Sequence, residues 1–227
     1  MMGIVLFKVA LVVYLASAVV YGGSLWGRRV MPARFATGLM FAALVIHTSS
    51  FISRWLADGM TPIIGLYDVL SFFAWVMAAA YLAMQLRTKT RVLGAFVSPV
   101  ICVIMVIASV ELGGGVGASA MLKGSLVTAH VMLSITGEAL FAVASCAGIM
   151  YLLQDSLIRR KKEGSLIRLF PSLRDLDRIN YLCLFWGFPL LTLGILAGSF
   201  WARIVWGSHW QWDSKQVWTL LAWGLYA

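Results

Sequence analysis

Residues 3–25 read GIVLFKVALVVYLASAVVYGGSL and carry one charged side chain, Lys8. A helix needs about 20 consecutive apolar residues to cross the hydrocarbon layer of a membrane, so this stretch is long enough to span it. A cleavable signal peptide has a shorter apolar region with basic residues in front of it. The stretch lacks both features, and it therefore predicts a membrane-spanning helix.

The same apolar character continues through the chain. Hydrophobic residues make up 61% of the 227 residues and charged residues 12%, whereas soluble domains are about half apolar and about a quarter charged. Residues 216–227 begin a seventh span but provide only about 18 Å of helix, less than the ~30 Å hydrocarbon layer. We therefore predict one all-α domain over residues 1–227, a polytopic transmembrane helix bundle, in a chain truncated at its C-terminus. Six full spans are predicted at residues 4–25, 35–53, 67–86, 92–110, 130–153 and 182–203.

The distribution of positive charge predicts the orientation. A net charge of +9 could indicate nucleic-acid binding, but basic residues also collect on the cytoplasmic side of membrane proteins. If the N-terminus lies outside, 13 of the 18 Lys and Arg residues fall in the inner loops. This bias predicts an outside N-terminus and no nucleic-acid partner. It also puts the tryptophan-rich loop, residues 204–218, on the outer face.

Residues 206–218 read WGSHWQWDSKQVW and contain Trp206, Trp210, Trp212 and Trp218. An aromatic belt at the membrane interface is the ordinary explanation for such residues. Four rings within one short run instead favour an aromatic platform, which suits a large, flat, apolar ligand. In a helix Trp206 and Trp210 would share a face, whereas an extended chain would bring Trp210 and Trp212 together.

The three histidines are candidate metal ligands because neutral imidazole binds metals well. His130 opens span five at its outer end, His209 lies in the tryptophan-rich stretch, and His47 lies inside span two. For each, a hydrogen-bonded packing residue is the alternative. Glu138 follows His130 on the same helical face. It is either a protonated acid bonded to a neighbouring helix or a group that tunes a ligand or a proton path.

The stretch WGSHWQWDSKQVWTLLAWGLYA, residues 206–227, closely resembles the WWD signature of the cytochrome c assembly family, which has system II and HemX-like branches. The resemblance covers most of the chain from about residue 35 onward. It also rests on TPIIGLYDVLSFFAW (residues 61–75), AHVMLSITGEALFAVASCAGIMYLLQD (129–155) and FPSLRDLDRINYLCLFWGFPLLTLGILAGSFWA (170–202).

The resemblance implies a set of ligand-binding residues. His130 stands where the family has a haem axial ligand. The partner ligand comes from histidines beyond the WWD loop in the family, so His209, which replaces the usual Tyr, and His47 are the candidates for a second iron ligand here. Asp213 would orient a ligand or meet a polar group at the rim. The other expected haem contacts are Trp206, Trp210, Trp212 and Trp218.

The resemblance further implies cytochrome c biogenesis: haem b is bound on the outer face of a bacterial inner membrane and presented for covalent attachment to apocytochrome c. A second system II membrane subunit would complete a holocytochrome c synthase, or haem lyase, complex. A HemX-like role linked to haem biosynthesis is an alternative. A transporter or a structural subunit without haem is another, and internal symmetry or an absence of haem binding would favour these.

Overall fold

The computed structural model describes residues 2–26, 30–58, 65–88, 90–112, 124–160 and 170–227, and it contains only helices and their connections in these ranges. A single 3₁₀ turn, Arg91–Leu93, precedes the fourth α-helix. The all-α prediction is therefore confirmed. The helices are α1 Met2–Trp26, α2 Val30–Asp58, α3 Leu66–Thr88, α4 Gly94–Val110, α5 Ser125–Arg159, α6 Leu173–Trp206 and α7 Ser214–Tyr226.

The six predicted full spans are present. Six helices in the described ranges are long and apolar enough to cross a membrane, and α7, with 13 residues, is the short seventh. The predicted limits were wrong for α2, α5 and α6, which have 29, 35 and 34 residues. Hydropathy marks only the apolar part of a helix. The added turns are polar: Arg159 bonds to Asp155 at 2.8 Å in α5, and Ser172 caps α6.

The first four helices share a buried core that contains polar side chains. α1 packs along α2 and α4, and α3 packs along α4. The hydroxyl of Tyr21 in α1 lies 2.9 Å from that of Tyr81 in α3 and 2.9 Å from that of Thr37 in α2. Both tyrosines lie against Gly94, where no larger residue would fit. Hydrogen bonds between helices therefore help to fix this half of the bundle.

The second half is built on the close pairing of α5 and α6, the most extensive helix contact in the described chain. A Cβ atom added to Gly137 would lie 2.8 Å from the carbonyl oxygen of Gly187. One added to Gly194 would lie 2.8 Å from the backbone nitrogen of Ser134. Small residues let helix backbones approach each other in membranes. These glycines thus bring the start of α5 against the end of α6, where His130 lies.

Candidate functional site

The tryptophan-rich stretch is divided among two helices and the short loop between them. α6 ends at Trp206 because Gly207 adopts φ 72°, a left-handed conformation that favours glycine, and its N–H donates to the carbonyl of Arg203 at 3.0 Å. α7 begins after Asp213, whose carboxylate accepts a hydrogen bond from the backbone N–H of Gln216 at 2.7 Å. The loop is therefore Gly207–Asp213, shorter than the predicted residues 204–218, and Trp218 lies within α7.

A cleft of about 130 Å³ lies between α5, α6, the loop and the start of α7. The structure brings five of the predicted site residues together in its walls, together with Trp201, which the sequence analysis did not select. Trp212, Trp218 and His47 do not line it. The lining includes His130, Trp201, Trp206, His209, Trp210 and Asp213.

The imidazole of His130 is held by the neighbouring helix. Its Nδ1 lies 2.7 Å from the carbonyl oxygen of Gly194. A carbonyl only accepts hydrogen bonds, so Nδ1 carries a proton, and in the neutral imidazole Nε2 then keeps its lone pair. Nε2 makes no hydrogen bond within the part of the chain that the structure describes. A backbone acceptor on the other ring nitrogen is the usual way in which proteins orient a metal-binding histidine.

The ring of His130 also needs the glycine at position 198. A Cβ atom there would lie 2.6 Å from Cε1 and 2.7 Å from Nδ1 of His130. Real Cβ atoms do not come so close to other heavy atoms. The imidazole therefore lies directly against the backbone of α6, and its position depends on the absence of a side chain there.

His209 faces the same cleft, but its Nε2 already accepts a hydrogen bond. The guanidinium of Arg203 donates to that nitrogen through Nη1 at 2.9 Å. The hydroxyl of Ser199 donates to the backbone carbonyl of His209 at 3.1 Å and fixes the loop. A role for His209 as a second iron ligand remains a prediction, and it requires Arg203 to leave Nε2.

The tryptophan rings pack edge to face instead of forming one flat shelf. Trp201 and Trp206 have centroids 5.2 Å apart at 71°, and Trp210 and Trp212 have centroids 5.8 Å apart at 75°. The second pair matches the prediction for an extended chain. Trp212 is 80% exposed and Trp218 71% exposed. Their predicted contact with the ligand is not tested by the geometry of the cleft.

Trp210 contributes a polar group as well as a ring. Its indole Nε1 is buried and has no hydrogen-bond partner among the described residues. A buried N–H that is left unpaired is unfavourable by about 1–3 kcal/mol. The cleft therefore contains a donor that a bound acceptor would satisfy.

His47 lies elsewhere, in the core formed by α1, α2 and α3, and has no exposed surface. Its Nε2 lies 2.8 Å from the hydroxyl of Ser71, and its ring stacks on Phe51 with centroids 4.9 Å apart. These contacts agree with the alternative interpretation of His47 as a hydrogen-bonded packing residue. The structure does not bring His47 to the cleft, and its role as a metal ligand stays a prediction.

Glu138 lies on the wall of a second cavity of about 260 Å³, between α5, α6 and α7. Phe141 and Tyr226 close one side of this cavity by stacking with centroids 3.9 Å apart. Thr219 lines both this cavity and the tryptophan-lined cleft. Glu138 therefore lies near the platform, but the structure does not separate the two roles predicted for it.

Comparison with known proteins identifies the family. Residues 63–227 match the family described as "Cytochrome C assembly protein". The "Cytochrome c biogenesis protein CcsA" of Microcystis aeruginosa is 29% identical over 266 residues, covering 96% of this chain and 81% of that protein. The CcsA proteins of Synechococcus elongatus and Trieres chinensis are 30% and 31% identical, covering 87% and 77% of this chain and 74% and 66% of those proteins. The matched residues include the whole of the cleft, and the chain belongs to the cytochrome c assembly protein family.

Proposed function

We propose that this chain binds haem in the tryptophan-lined cleft, with Nε2 of His130 on the iron, and presents it for covalent attachment to apocytochrome c. Membership of the assembly family gives the chain its role in cytochrome c biogenesis. The single observation that carries the haem proposal is the hydrogen bond from His130 Nδ1 to Gly194, because it leaves Nε2 as a lone-pair donor in the cleft.

The donor set fits iron held in a porphyrin better than a bare ion. No group of three or more His, Cys, Asp or Glu side chains that could hold a metal occurs within the described ranges. A porphyrin supplies four nitrogen donors itself, so the protein would need to add only one or two. His130 would supply one of them, and His209, which lines the same cleft, is the candidate for another.

The walls of the cleft fit a flat aromatic ligand that is only partly enclosed. Trp201, Trp206 and Trp210 supply aromatic surface for the ring. A volume of about 130 Å³ is below the ~300 Å³ of ordinary small-molecule pockets. The cleft would therefore enclose only part of a ligand of this size. Partial enclosure suits a protein that hands haem to another protein.

The chain's own residues bind and orient in this proposal. When bound, haem supplies vinyl groups, which form thioether bonds with the cysteine thiols of apocytochrome c. Gly194 fixes the ring of His130, and the tryptophans hold the macrocycle and exclude water from one of its faces. Asp213 acts through the fold, since its carboxylate starts α7 and so shapes one wall of the cleft. Positioning alone can contribute much of the rate of such a reaction.

The wider setting is part of the same proposal. The bias of basic residues supports an outer location of the cleft, on the extracytoplasmic side of a bacterial inner membrane. Haem b is the proposed cofactor because attachment starts from its vinyl groups. A second system II membrane subunit is the proposed partner, and together they would form the haem lyase complex. The relatives named CcsA support this branch over the HemX-like one.

An absorption spectrum of the purified full chain tests the haem proposal. We expect the wild type to show a Soret band that His130→Ala loses and that added imidazole restores, because free imidazole can occupy the vacated position. His47→Gln, which changes a histidine outside the cleft, should keep the band. A wild type that binds no added haem would refute the proposal, as would a His130→Ala variant with an unchanged spectrum.

A further inference from the structure

Arg203 is an exposed charged residue that contacts His209 of the cleft wall, and neither the sequence analysis nor the proposed haem contacts use it. It lies in the last turn of α6, where a cation interacts favourably with the helix dipole. Its guanidinium donates to Nε2 of His209 at 2.9 Å. The neutral imidazole is a weak partner for a group that pairs best with an anion.

Two hydrogen-bond donors, one in the cleft and one beside it, can take a further acceptor. Arg203 has five N–H groups, and the indole N–H of Trp210 is buried without a partner in the described structure. The acidic residue of the lining, Asp213, uses one carboxylate oxygen to accept the backbone N–H of Gln216 at 2.7 Å. A ligand that complements this surface carries hydrogen-bond acceptors, and a carboxylate provides the strongest ones for arginine.

We infer that Arg203 binds a carboxylate of the ligand and thereby releases Nε2 of His209. The inference rests on the proposed haem function, because the two propionate groups of haem are the carboxylates in question. It gives Arg203 two states, one on the histidine and one on the ligand. The protein then distinguishes a ligand with free propionates from one without them.

The exchange is favourable because a carboxylate offers Arg203 an opposite charge, which a neutral imidazole lacks. The planar fork of arginine also matches the two oxygens of a carboxylate, whereas the imidazole offers a single lone pair. Once Arg203 has moved, His209 presents a lone pair in the same cleft as His130. A second nitrogen ligand therefore becomes available only when the correct ligand has arrived.

The test compares haem with its dimethyl ester, in which both propionates are uncharged, by titration of the purified full chain. We expect the wild type to bind haem about two- to fivefold more tightly, which is the range of an exposed ion pair. Arg203→Gln should bind the two compounds equally. Arg203→Lys should keep part of the preference because it keeps the charge but loses the fork.

The spin state of the bound iron tests the release of His209. With haem, the wild type should be six-coordinate and low-spin; with the ester, His209 stays on Arg203 and the iron should stay high-spin. Arg203→Gln should give the low-spin spectrum with both compounds, and His209→Ala should give it with neither. A merely structural role for Arg203 would not produce this pattern.

The outcomes separate this inference from the haem proposal. If the wild type binds neither compound, the proposed function fails. If it binds both with equal affinity, or if Arg203→Gln keeps the preference for haem, haem binding stands and the role of Arg203 is wrong. If the preference depends on Arg203 but His209→Ala leaves the low-spin spectrum unchanged, the release of His209 is overturned.

Discussion

Replacing Gly198 by alanine should displace the imidazole of His130. The new Cβ atom would lie 2.6 Å from Cε1 and 2.7 Å from Nδ1 of the ring. The ring cannot swing away freely, since Nδ1 is bonded to Gly194 at 2.7 Å. We therefore expect Gly198→Ala to break or lengthen that bond and to turn Nε2 away from its position in the cleft.

Two magnitudes follow from this geometry. Overpacking at a close contact lowers the free energy of unfolding by about 1–3 kcal/mol. The replacement of glycine by alanine inside a helix raises it by about 1 kcal/mol. The net loss of unfolding free energy should therefore be about 0–2 kcal/mol. Loss of the backbone acceptor that orients a metal-binding histidine typically lowers affinity by about 10–100-fold. Haem affinity should thus suffer far more than stability.

Haem titration and thermal unfolding of the same detergent-solubilised preparations would measure both effects. Gly148→Ala is the matched control, because a Cβ atom at Gly148, in the middle of α5, meets nothing within 4 Å. It should gain up to about 1 kcal/mol in stability and bind haem as the wild type does. If Gly198→Ala also binds haem with wild-type affinity, the close approach of ring and backbone does not position the ligand, and the reasoning is refuted.

Three further predictions concern groups outside that contact, and thermal unfolding measures each. The buried hydroxyl of Tyr14 has no partner in the described part of the chain, so Tyr14→Phe should leave stability unchanged or raise it. Tyr21→Phe should lower stability by about 1 kcal/mol because it removes the hydrogen bonds of that hydroxyl. A larger loss for Tyr14→Phe than for Tyr21→Phe would contradict this. Asp213→Ala should cost about 1 kcal/mol through the loss of the α7 cap, and Asp213→Asn should recover most of it. Asp68→Ala should cost about 1–3 kcal/mol because it removes the carboxylate that pairs with the partly buried guanidinium of Arg54, and adding Arg54→Gln should cost less than the two separate losses combined.

The sequence predicted the number and type of the helices well, because long apolar runs identify membrane spans almost regardless of their neighbours. Their ends were predicted poorly where polar turns continue the helix, as at Arg159. Hydropathy responds to the surrounding solvent, whereas a helix ends where its backbone changes conformation. Gly207 and Asp213 mark two such points by residue type, and both could have been identified as helix-ending and helix-starting signals.

The candidate site, too, was predicted only in part. His130, Trp206 and Trp210 were identified from residue type and local density. The hydrogen bond that orients His130 was missed because its acceptor is a backbone carbonyl 64 residues away. Every residue has such a carbonyl, so residue type does not reveal which one is used. The spacing of Gly194 and Gly198 by one helical turn was the available signal, since such pairs often mark close helix contacts.

The bond between His130 and Gly194 joins the side chain proposed to bind the haem iron, on one helix, to the backbone of another helix. Ligand affinity and the association of α5 with α6 are therefore thermodynamically linked. A ligand on Nε2 favours the packed arrangement of the two helices. By reciprocity, any change that separates the helices lowers the affinity for the ligand. Substitutions at Gly137, about two helical turns from His130, can thus lower affinity without touching the cleft. The loaded protein should also resist unfolding and proteolysis better than the empty one.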